Sequence, residues 1–108
     1  MKTSFPRKRI SQQEMRHLFN GRCFWERLCS GELIAQVETQ NHPSPLESGQ
    51  PLCTWSQMLA YFDVTNQEVE VARVHQYMRP DGSIGASGRP DPKRLLVDGI
   101  IYILKCKA

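Results

Sequence analysis

The sequence has no long hydrophobic run. Its longest strictly apolar stretch is Ile100, Ile101, Tyr102, Ile103 and Leu104, far short of the ~20 residues that cross a bilayer. The N-terminus is polar and basic with no apolar run behind it, so a secretory leader and a membrane span are both disfavoured. No two of the four cysteines, Cys23, Cys29, Cys53 and Cys106, have the two-residue gap of a zinc knuckle or a redox dithiol. Adding His17, His42 and His75 would supply a zinc site only by gathering ligands from across the chain, so no metal and no cofactor is expected. Without an export signal the thiols are expected to be reduced and mostly buried, and the compartment to be cytoplasmic. Residues 32–68 hold no cation at all.

What is present suits one domain of 108 residues, with 40% hydrophobic and 23% charged side chains, enough apolar material to bury a core. Charge is distributed in blocks. Residues 1–31 carry seven cations and two anions, residues 32–68 five anions, and residues 69–108 seven cations and four anions. If the two basic ends meet on one face, they form a patch that attracts phosphates or an acidic protein surface.

Residues 1–10, with Pro6 beside Arg7, Lys8 and Arg9, read as a flexible basic arm, and residues 11–108 as a single α+β domain. Ser11 followed by Glu14 has the form of a capping box, so a helix is expected from residue 12, with Asn20 and Gly21 ending it. A second short helix is expected over residues 22–28 and a strand over 33–38. Three prolines among residues 39–52 predict a long surface loop. Residues 53–62 fit either a helical face or one arm of a hairpin. Residues 68–78 read as a strand with a slip in alternation between Val71 and Val74 that permits a bulge, and residues 95–97 and 100–104 as strands around an Asp98, Gly99 turn. Helices first and strands later predict N-terminal helices packed on one face of a small antiparallel sheet formed mainly by the C-terminal half.

Residues 79–94 read as a loop in which Arg-Pro-Asp occurs twice and Gly82, Gly85 and Gly88 recur every third residue. The prolines and aspartates make turns, and the bare glycine N–H groups suit an anion-binding nest flanked by Arg79, Arg89, Lys93 and Arg94. Alternation also places His75 and Tyr77 on one strand face with Arg73 and Arg79. Two functions follow. The first is a small binding module that engages nucleic acid or an acidic protein surface through the Arg7, Lys8 and Arg9 arm and the glycine- and arginine-rich loop, using Arg73, Arg79, Arg89, Lys93 and Arg94. The alternative is a metal-independent, toxin-type ribonuclease with His75 as general base or acid, Tyr77 stacking or donating a proton, and Arg73 or Arg79 stabilising the phosphorane. The block from Pro90 to Tyr102 resembles the closing strands of small bacterial toxin nucleases, but it contains no catalytic set and implies no residue roles. Binding is the favoured reading, because a lone base without a located proton partner is an incomplete active site.

Overall fold

The computed structural model describes residues 5–41, 49–85 and 88–105. Its elements are β1 (Arg7–Ile10), α1 (Gln12–Gly21), α2 (Phe24–Cys29), β2 (Leu33–Asn41), β3 (Trp55–Asp63), β4 (Asn66–Met78), β5 (Asp91–Val97) and β6 (Ile100–Leu104). The strands form one six-stranded sheet in the order β1-β6-β5-β4-β3-β2. Strands β2 to β6 are an antiparallel meander, and β1 joins β6 in parallel. The sheet is therefore mixed, where a purely antiparallel one was expected.

The segment expected as a flexible arm supplies this parallel strand. Ile10 is 5% exposed and anchors β1, while Ile101 N–H donates to the Pro6 carbonyl and Lys105 N–H to that of Ile10. Ser11 caps α1 as expected: its Oγ accepts from Glu14 N–H, and Glu14 Oε1 accepts from Ser11 N–H, both at 3.1 Å. Met15 and Phe19 are buried beneath the helix. Cys23, in the left-handed region at φ 58°, turns the chain into α2, and the Phe19 and Phe24 rings stack at 5.6 Å. Burying an aromatic ring of this size contributes about 2 to 3 kcal/mol.

Both helices add to a single core with Leu33, Leu59, Tyr61, Ala72, Val74, Leu95 and Val97. The strand register puts Leu59 opposite Val74 and Tyr61 opposite Ala72, so these strand residues share the helix-facing side of the sheet. Most of residues 53–62, which fit either a helix or a hairpin arm, lie in β3 (Trp55–Asp63), an arm of the hairpin. Asp98 and Gly99, at φ 51° and 77°, make the primed turn that joins β5 to β6. The expected 16-residue loop is shorter, because β5 begins at Asp91. The register slip with β4 between Arg73 and Val74 leaves Lys93 as the bulged residue, next to Pro92, which pairs with Val74, and proline within a sheet is found beside such irregularities. Cys23, Cys29 and Cys53 are exposed, contrary to the buried thiols expected, and Cys106 lies outside the described residues. No helix among the described residues is long and apolar enough to cross a membrane.

Candidate functional site

Strand β4 outruns its neighbour. Its last pair with β5 is His75 with Asp91, and the next contact on that side is the bridge between Met78 and Ile84. Gln76 and Tyr77 thus lie opposite a long excursion of the chain, and a cleft of about 430 Å³ opens there. Its walls are Arg16, Phe19 and Asn20 of α1, His75, Gln76 and Tyr77 of β4, and residues 85 and 89–92.

The cations at this cleft hold the fold together. Arg16 donates to Asp91 at 3.0 Å. Arg89 pairs with Glu26 at 3.3 Å and donates to Asn20 at 3.3 Å, which clamps the returning chain onto the helices. Gln76 donates to Gln57 at 2.9 Å in a buried pair.

The glycine-rich segment does not present an open nest. Gly82 N–H donates to the Arg79 carbonyl, Gly85 N–H to that of Tyr77 and Gly88 N–H to that of Gly85. The Asp81 carboxylate accepts from both Ser83 N–H and Ser83 Oγ, so an internal anion takes the place where an external one was expected. These hydrogen bonds hold the Asp81 carboxyl below its ordinary pKa. Arg79 donates to Gln50 at 3.0 Å and lies outside the cleft lining.

A second arrangement lies on the sheet face turned away from the helices. The register aligns Arg9 with Ile103, Ile103 with Arg94, Arg94 with Arg73, Arg73 with Ala60 and Ala60 with Gln36. Paired residues point to the same side of a sheet, so three arginines from β1, β5 and β4 stand in one row. Arg7 lies on the same face, opposite Ile101. Arg7 and Arg94 form no ion pair among the described residues. Arg73 is held by Glu70 through two contacts, at 2.6 and 3.3 Å. In a straight strand, side chains three apart point to opposite faces. The register shift between Tyr61 and Phe62 makes Val71 a bulge and brings Glu70 round to Arg73.

His75 and Tyr77 follow Arg73 on this face and also line the cleft. Their rings meet edge to face at 4.8 Å, and His75 Nε2 is 2.8 Å from Ser56 Oγ on β3. Burial, reinforced by the charge of Lys93 and opposed by Asp91, holds the imidazole below its ordinary pKa.

The expected site residues are therefore split. Arg73, Arg94, His75 and Tyr77 come together on the open face. Arg89 is committed to Glu26 and Asn20, Lys93 turns to Gln12 at 3.4 Å, and Arg79 to Gln50. The ribonuclease set of His75, Tyr77 and Arg79 gains no second histidine: His17 is exposed on α1 and His42 lies outside the described residues. Sequence reasoning missed Ser56, Arg16 and Asn20, and it placed Arg7 and Arg9 among the binding residues but on a flexible arm where the structure has strand β1. No local signal marks the first three, because each reaches the site across strands or from a helix. Among the described residues no three His, Cys, Asp or Glu side chains gather as metal ligands would. Comparison with protein-family models, curated proteins and solved structures finds no match.

Proposed function

We propose that this chain is a module that binds single-stranded nucleic acid without cleaving it. One observation supports the reading above others: the row of Arg9, Arg94 and Arg73 runs into the His75 and Tyr77 rings on one sheet face. Guanidiniums in a row track a phosphate backbone, and the half-buried His75 and Tyr77 rings would stack on unstacked bases, worth ~1 to 3 kcal/mol each. The cleft beside Tyr77 offers a displaced base the amide nitrogen of Asn20, whose Oδ1 accepts from Arg89, and the second oxygen of Asp91, whose Oδ1 accepts from Arg16. No chemical step is assigned, since the sole hydrogen-bond partner of the His75 imidazole among the described residues is Ser56.

Anisotropy of labelled single-stranded RNA and DNA tests this at low salt. The expected result is binding that weakens as salt rises, because neutralised phosphates release counterions, and that is weaker for Arg94→Glu. Absence of binding to either strand overturns the reading. Competition by polyglutamate as effective as that by RNA replaces the nucleic acid with an acidic protein surface. Product formed in EDTA by wild type and not by His75→Ala replaces binding with catalysis.

A further inference from the structure

The two edges of the sheet are built differently. β1 is four residues long and reads Arg, Lys, Arg, Ile, short and charged in the way that keeps an edge from recruiting foreign strands. β2 is nine residues long, and Glu38 is its one charged side chain. It contains neither lysine nor proline. From Ile34 to Thr39 its residues are exposed, with Ile34 at 38% and Val37 at 48%. Among the described residues no strand pairs with its outer side. The register shift between Val37 and Thr39 makes Glu38 a bulge, which confines regular pairing to the first half of the strand.

We propose that β2 is the interface with a second copy of this chain, paired antiparallel about a two-fold axis at Gln36. The residues around Gln36 are self-complementary under that operation. Gln36 meets its own copy, amide to amide. Ala35 meets Val37 of the other copy twice over, on the helix-facing side. The bulged Glu38 ends the paired stretch beside Ile34 of the other copy, which leaves the two Glu38 residues about four residues apart along the strands, ~13 Å. Such a contact is isologous and closes at two copies. Pairing β2 with the basic edge β1 would instead propagate without closing, and β1 offers four residues to nine.

The axis at Gln36 also has a consequence for the open face. The line of the arginine row continues past Arg73 through Ala60 to Gln36, so the row of one copy is in line with that of the other, on the same face and across an uncharged gap. This consequence rests on the binding function proposed above, whereas the pairing itself does not.

Light scattering after size exclusion, over a dilution series, tests the pairing. Wild type is expected at twice the mass of one chain at the concentrated end. Gln36→Lys sets two like charges directly opposite each other and is expected to halve that mass, as is Gln36→Glu. Mixing the two variants is expected to restore the doubled mass. Circular dichroism identical to wild type establishes that each variant is folded, and Gln36 is an exposed residue whose substitution leaves the core untouched. A wild type that stays monomeric, a Gln36→Lys protein that stays dimeric, a mixture that stays monomeric, or a ladder of larger species each overturns the proposal. A failure of RNA binding leaves this result unaffected.

Discussion

His75 shows at the residue scale how environment decides what a side chain can do. Partial burial and the positive charge of Lys93 disfavour the imidazolium, and Asp91 offsets them only in part. The folded pKa is thus below the unfolded one, so at acid pH the unfolded chain takes up this proton first. The stability contributed by neutral His75 is fully present above about pH 6.5 and is lost as pH falls through the folded pKa. The urea midpoint of wild type is expected to drop over that window more than that of His75→Gln, and the ring protons are expected to titrate below 6.5. Parallel midpoints in the two proteins would remove the argument. Tyr61 presents the opposite case. It is fully buried, its hydroxyl has no hydrogen-bond partner among the described residues, and burial raises its pKa. An unmatched buried hydroxyl is destabilising by ~1 kcal/mol or more. Tyr61→Phe is therefore expected to raise stability by about 1 kcal/mol in urea unfolding. A loss would mean that the hydroxyl finds a partner in solution.

At the scale of elements, the bulge at Val71 governs how much positive charge the open face presents. By turning Glu70 to the face of Arg73 it ties one guanidinium of the row to a carboxylate in a two-contact pair. Glu70→Gln removes the competing charge and leaves the strand intact. If the row holds phosphates, affinity for a single strand at low salt is expected to rise about fivefold, with a salt slope steeper by ~0.7, as one further phosphate contact gives. Unchanged affinity in an anisotropy titration would exclude Arg73 from the contact. A break in alternation was legible between Val71 and Val74, although the bulge falls at Val71 itself, and α1 was legible because Ser11 and Glu14 lie within a single turn. β1 was not. Its partner β6 lies at the other end of the chain, and nothing in Arg7, Lys8 and Arg9 announces a parallel neighbour. β5 was shortened in the reading because Pro92 suggests a loop until the bulge that accommodates it is known. The same limit applied to the site: alternation grouped His75 and Tyr77 with Arg73, whereas the contacts of His75 with Ser56 and of Arg16 with Asp91 depend on strand order and helix placement, which no local pattern encodes.

At the scale of the whole molecule, the block charges of the chain become a map of the sheet. The basic terminal segments supply β1, β6, β5 and most of β4, which are contiguous, and the cation-free segment supplies all of β2 and β3 and the start of β4 at the opposite end. One sheet therefore carries a positive half and an acidic half, and a strand bound along the arginine row would stop short of β2. Pairing through β2 would place the two acidic halves at the centre and the positive halves outside, with five strand spacings, ~24 Å, between Arg73 and its copy. An oligonucleotide too short to span that gap engages one row, and a longer one engages both at a high effective concentration. Wild type is thus expected to gain affinity steeply once the oligonucleotide exceeds the gap, while Gln36→Lys, with both rows intact but separated, is expected to gain only in proportion to length. Equal length dependence in the two proteins would mean that each row acts alone, because a second copy extends the track only if its row lies on the same face and in line with the first.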